Sequence, residues 1–184
     1  MSDCRVLAID GSPSGGGRTA RVLAGVLDAC RAGGASVETV ELASPGGVDA
    51  AVQALGSLGP SGAVVLGTPI YRATYAAPVK ALLDAIPREQ ETGESSLRAR
   101  ATGIVATGAS LHHFLGLHEL RSVLAVFFAA IVVPPGLYVP RDGFDGDDLR
   151  SPYDAAAETL GGSLVELAAA VSRSSHLTRV VPQA

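Results

Sequence analysis

Short apolar runs alternate with stretches of helical spacing along the chain, and this alternation limits the fold more than any other feature. Residues 5–9 form an apolar run ended by Asp10-Gly11. From Thr19 onward, Val22, Leu23, Val26, Leu27 and Cys30 recur at helical intervals until Gly33-Gly34. Residues 36–42 are β-branched and partly alternating, which predicts an outer strand. Val48, Val52 and Leu55 share a helical face, and residues 63–66 predict a buried strand broken by Gly67-Thr68-Pro69. A helix over 76–86 follows, with Pro78 in its first turn, where a missing N–H costs little. Residues 87–100 are polar and predict an exposed loop. A strand over 102–106, helix over 111–128, strand over 130–133 (continuing through 137–139) and amphipathic helix over 154–172 complete the pattern.

Strand and helix thus alternate five times in 184 residues. This predicts one domain spanning 1–184: an α/β, flavodoxin-like three-layer sandwich around a five-stranded parallel sheet of order 2-1-3-4-5. In such sheets a ligand lies beyond the carboxyl ends of the strands, at the switch point of the order.

Three segments follow the strands that meet there. The first, residues 11–19, is rich in glycine and hydroxyls and leads into a helix. Its backbone N–H groups and the helix N-terminus suit a phosphate, with Ser12 and Thr19 as hydroxyl donors, Arg18 as a charged one and Ala20 beside them. Two other nucleotide motifs fit less well. A Walker loop would need Lys where Arg18 stands and Gly where Ser12 stands. Gly15, Gly17 and Ala20 satisfy a dinucleotide fingerprint, but several residues too far from the strand. The second segment, Pro69, Ile70, Tyr71 and Arg72, pairs stiffness with apolar surface for a flat heterocycle. The third, Thr107, Gly108, Ala109 and Ser110, is small enough for close backbone approach, and His113 follows within reach. His112, His113 and His118 lack the spacing and the thiol or carboxylate partners of a metal set, so none is expected.

The stretches GSPSGGGRTARVL (11–23), GTPIYRATYAAPVKALLDAIP (67–87) and ATGASLHHFLGLHELRSVLAVF (106–127) resemble the NAD(P)H-dependent FMN reductase family. The likeness runs from about residue 5 to about 145 and is nearest to the reductase components of two-component alkanesulfonate and methanesulfonate monooxygenases. It implies FMN with its phosphate on Ser12, Arg18 and Thr19 and its ring against 69–72 and 107–110. NADPH or NADH would donate hydride, a flavin-dependent monooxygenase would be a partner, and the protein would be a homodimer or homotetramer. Two departures stand out. Ser14 occupies a position where many relatives have Arg. Residues 117–120 lack the extra residue that makes a π-bulge in some two-component members, which implies FMN held more firmly as a prosthetic group. The rival readings are an FMN-containing quinone, azo or nitro reductase, a flavodoxin-type electron carrier and, most remotely, a P-loop NTPase. The chain has no Trp for a flavodoxin's aromatic sandwich.

The formal charge of −4 and the absence of a Lys/Arg run argue against nucleic acid. Cys4 and Cys30 form no CxxC or zinc spacing and predict buried thiols in a reducing compartment. The N-terminus does not resemble a signal peptide, and the longest apolar stretch falls short of the ~20 residues a membrane span requires. A cytoplasmic location is expected.

Overall fold

The computed structural model describes residues 4–87 and 95–182. The strands are β1 (Arg5–Asp10), β2 (Ser36–Glu41), β3 (Ala63–Tyr71), β4 (Thr74–Tyr75), β5 (Ala101–Gly108), β6 (Ile131–Val132), β7 (Leu137–Pro140), β8 (Phe144–Asp145) and β9 (Asp148–Leu149). The helices are α1 (Arg18–Ala32), α2 (Gly47–Gly56), α3 (Ala77–Ala85), α4 (Gly116–Ser122) and α5 (Tyr153–Arg173). The main sheet is parallel in the order β2-β1-β3-β5-β6, while β4 pairs antiparallel with β3 and β7 pairs with β5.

The five plain strands in the order 2-1-3-4-5 therefore need correcting, for two physical reasons. β3 does not break at Gly67-Thr68-Pro69. It stays paired with β5 through Thr68↔Ala106 and Pro69↔Thr107, then folds back as a hairpin onto β4. The last strand divides in two, because Pro134-Pro135-Gly136 offers only one backbone N–H between β6 and β7.

Strand alternation sorts the core into two layers. Leu7 and Ile9 pack with Ala51 and Leu55 of α2, Val79 and Leu82 of α3 and Leu120 of α4. Val6 and Ala8 pack with Val22 and Val26 of α1 and Leu160 and Leu164 of α5. A parallel sheet covered on both faces has apolar residues on both, and β1, β3 and β5 do. β2 is the edge, with exposed residues alternating with half-buried ones. Cys4 and Cys30 are both buried, and burial pushes the Cys30 thiol up to about 11.

Two further expectations change. Residues 88–94 of the expected exposed loop lie outside the described residues, while 95–100 pack inward. Leu97 is buried, and the Arg100 guanidinium donates to the carbonyls of Leu58, Gly59 and Gly62, tying this turn to the loop between α2 and β3. The helical stretch after β5 is not uniform. It begins as a 3-10 turn (Leu111–Leu115), becomes α4 and ends as a π-turn (Val123–Phe127), where Phe128 N–H reaches back five residues to the Val123 carbonyl at 3.2 Å. Residues 117–120, where the sequence lacks an extra residue, are regular α-helix within α4, and the π-type turn falls after them at Val123–Phe127.

Candidate functional site

The carboxyl ends of β1, β3 and β5 carry a cleft of about 360 Å3. Ser12, Ser14, Gly17, Arg18 and Thr19 line one end. Pro69, Ile70 and Tyr71 face Thr107, Gly108 and Ala109 toward the other, with Arg141 at the rim. Three segments that are far apart in the chain therefore share one cavity.

At the first end, β1 turns tightly. Gly11 N–H donates to the Gly67 carbonyl at 2.8 Å, and a Cβ on Gly11 would stand 2.2 Å from Val79 of α3. Ser12 N–H then donates to Asp10 Oδ1 at 2.9 Å. α1 starts at Arg18 with no side chain capping Gly17 and no acidic residue in its first turn. The first N–H groups of a helix have no partner within it. Here they lack a side-chain cap as well, and they lie beside the cleft with Ser12, Ser14 and the Arg18 guanidinium. This is a donor set for a phosphate. Arg18 also stacks over the buried Phe144 ring, 5.5 Å from its centroid.

Thr19 Oγ1 and Thr107 Oγ1 are 2.9 Å apart and both residues are buried. One hydroxyl proton closes this bond and the other is left for a ligand. The bond also ties the glycine-rich loop to the end of β5.

At the second end, Thr68 Oγ1 accepts Ala76 N–H at 3.0 Å and holds the β3–β4 hairpin against the start of α3. The hairpin turns on Arg72 and Ala73, both with positive φ (49° and 70°), a backbone form that costs non-glycine residues energy. Across the cleft, the Tyr138 hydroxyl donates to the Ser110 carbonyl at 2.6 Å, bracing the 107–110 loop from β7. Gly108 leaves room for that phenol, since a Cβ there would lie 2.2 Å from Tyr138 Oη.

Asp10 lies beneath the glycine-rich loop with Oδ2 buried and unpartnered. Burial raises its pKa above the ordinary range, the Ser12 N–H opposes the rise and Glu41 adds to it.

Nine of the expected site residues line the cleft: Ser12, Arg18, Thr19, Pro69, Ile70, Tyr71, Thr107, Gly108 and Ala109. Four do not. Ala20 lines a neighbouring cleft with Arg21 and Asp147, because helical rotation turns it away from Thr19. Arg72 sits at the hairpin tip, and Ser110 lines the cleft on the far side of the 107–110 loop. His113 is half-buried behind Gly108, its Nδ1 enclosed without a partner. Outside the individually expected residues, Ser14, Arg141 and Gly17 of the glycine-rich loop also line the cleft, and Asp10 and Tyr138 lie behind it. For Arg141 a signal existed: it follows the last parallel strand segment, so it falls on the same sheet edge as the other loops.

Residues 4–143 match the model of a family described as NADPH-dependent FMN reductase, which covers most of the chain. The chain belongs to the NADPH-dependent FMN reductase family. This member is 37% identical over 90 residues to the NADH-dependent FMN reductase SfnF of Pseudomonas putida. The aligned stretch covers 48% of this chain and 45% of SfnF. It is 32% identical over 81 residues to an NAD(P)H-dependent FAD/FMN reductase of Geobacillus thermodenitrificans, covering 44% of this chain and 40% of that one. The chain thus matches less than half the length of these curated relatives. Among solved structures, an NADH:FMN oxidoreductase (EmoB, apo form) superposes with a TM-score of 0.75 at 22% identity, covering 96% of this chain and 94% of that one. FerB, an NAD(P)H:(acceptor) oxidoreductase of Paracoccus denitrificans, gives 0.68 at 15%, with 90% and 97% covered. These likenesses show the flavodoxin-like fold.

Proposed function

We propose that this chain is a cytoplasmic NAD(P)H-dependent FMN reductase that supplies reduced flavin or electrons to a partner such as a flavin-dependent monooxygenase. The observation that carries the reading is the cleft's polarity. The uncapped first turn of α1, with Ser12, Arg18 and the Thr19–Thr107 hydroxyl pair, stands at one end, and two facing segments, Pro69–Ile70–Tyr71 and Thr107–Gly108–Ala109, stand at the other. FMN has the same polarity, with a phosphate at one end and a planar ring at the other. When bound, it supplies the hydride-accepting chemistry. The chain's own part is to bind and orient. The α1 donors and Arg18 hold the phosphate, with Ala20 flanking them. Pro69 and Ile70 present an apolar wall, and the 107–110 loop, braced by Tyr138, positions the ring's edge. Tyr71 and Arg72 at the hairpin tip and His113 behind Gly108 complete the surroundings.

The protein is a homodimer or homotetramer in this reading. Leu111, Phe114, Leu115, Val126 and Phe127 are exposed along the connection between β5 and β6, and apolar side chains of that size favour burial against a second copy.

An absorbance titration tests the function. FMN added to the pure protein should shift the flavin bands, and anaerobic NADPH or NADH should bleach them. Unshifted bands would sink the proposal. Turnover that requires added free FMN supports delivery of reduced flavin, whereas quinone reduction without it argues for an organic acceptor.

A further inference from the structure

The cleft opens at each end onto a neighbour. At the phosphate end it shares Gly17 and Arg18 with a second cleft, in which Arg21 is paired with Asp147 at 3.6 Å. At the ring end it shares Ala109 and Arg141 with a third cleft of about 590 Å3, walled further by His112, Asp142, Phe144 and Arg150. A dinucleotide that sets its nicotinamide against a flavin ring must lead the rest of its length away from that ring. The ring-end cleft adjoins the 107–109 segment and has the volume of a ligand site.

Its charges suit that cargo. Arg141 is exposed, and among the described residues no carboxylate lies within ion-pair distance of it. Arg150 Nη2 stands 3.5 Å from Asp145 Oδ1 with both side chains exposed, a loose pair that an incoming phosphate can displace. Asp142 is the acidic group in the wall, and a carboxylate there can accept hydrogen bonds from ribose hydroxyls.

We infer that this third cleft binds the diphosphate of the reduced dinucleotide, with the guanidiniums of Arg141 and Arg150 on its oxygens. The inference rests on the flavin reductase reading and adds the binding of the donor's distal half to it.

Steady-state kinetics of Arg150→Ala test it with three donors: NADH, NADPH and 1-benzyl-1,4-dihydronicotinamide, which has neither ribose nor phosphate. Loss of a charge-assisted contact should raise KM for NADH and NADPH alike, by about 10-fold, with kcat little changed. KM for the benzyl donor and the fluorescence-measured Kd for FMN should stay as in the parent. Arg150→Lys should recover part of the loss. An unchanged KM for both dinucleotides, or an equal rise with the benzyl donor, overturns the inference. A rise confined to NADPH also overturns it, because it moves the arginine to the 2'-phosphate. If FMN does not bind at all, the function reading fails instead. Calorimetric titration with ADP-ribose still reads the cleft, and equal affinity in parent and variant would reject it.

Discussion

Asp10 ends β1 with one carboxylate oxygen on the Ser12 N–H and the other buried without a partner, and burial raises its pKa above the ordinary 3.8. A carboxyl whose pKa is higher folded than unfolded favours the fold in its protonated form. That contribution is complete below pH 3.8 and is lost as pH rises through the higher folded value. Asp10→Asn cannot ionise and keeps an acceptor for Ser12. Its Tm relative to the parent should therefore climb with pH from about 3.8 upward and level off above the folded pKa, as read by circular dichroism melts. A difference that does not change with pH would remove Asp10 as a titrating group. Gly108 makes the second residue-scale case. Gly108→Ala pushes a methyl to 2.2 Å from Tyr138 Oη and should break the bond to Ser110, weakening FMN binding by about tenfold. Adding Tyr138→Phe removes the clashing oxygen, so a fluorescence titration of the double variant should show less than the sum of the two losses.

At the scale of elements, α1 and α5 cross at Gly161. A Cβ there would meet the Val26 carbonyl at 2.4 Å and Ala29 Cβ at 2.6 Å, whereas its neighbour Gly162 has nothing within 4 Å. Gly161→Ala should cost about 3 kcal/mol by forcing the helices apart, while Gly162→Ala should gain about 0.5–1 kcal/mol by restricting the unfolded chain. Urea denaturation of the pair separates packing from propensity, and equal effects would contradict the crossing geometry. The β3–β4 hairpin offers another contrast. Its two turn residues, Arg72 and Ala73, have positive φ without being glycine. Replacing them by Asn-Gly should raise stability by about 1 kcal/mol, measured as the shift in urea midpoint. An unchanged midpoint would mean that neighbouring contacts already offset the turn's cost. The hairpin is also where sequence reading fell short. Glycine, threonine and proline at 67–69 read as a strand end, yet pairing with β5 carries the strand through Pro69 and pairing with β4 carries it on to Tyr71.

For the whole molecule, the exposed apolar residues between β5 and β6 lead to an expected assembly. Val126→Glu should shift the mass measured by light scattering toward that of one chain, and a parent that is already monomeric would refute self-association through this segment. The sheet's two apolar faces, the helical stripes of α1 and α5 and the glycine-rich entry to α1 were legible in the residues. They follow from local periodicity and backbone preference, which a linear pattern records. The family was legible too, because its motifs lie within continuous segments. Other features required the folded chain. Arg141 reaches the cleft, Tyr138 braces a loop 28 residues away and Thr19 meets Thr107 across 88 residues, and no local pattern encodes such contacts. Ala20 and Thr19 are adjacent in sequence, yet one helical step places them on different clefts. The sequence determined which segments are strands and helices and which strand ends carry donors. Tertiary packing decided which donors converge, because side chains distant in the chain become neighbours only when both layers close on the sheet.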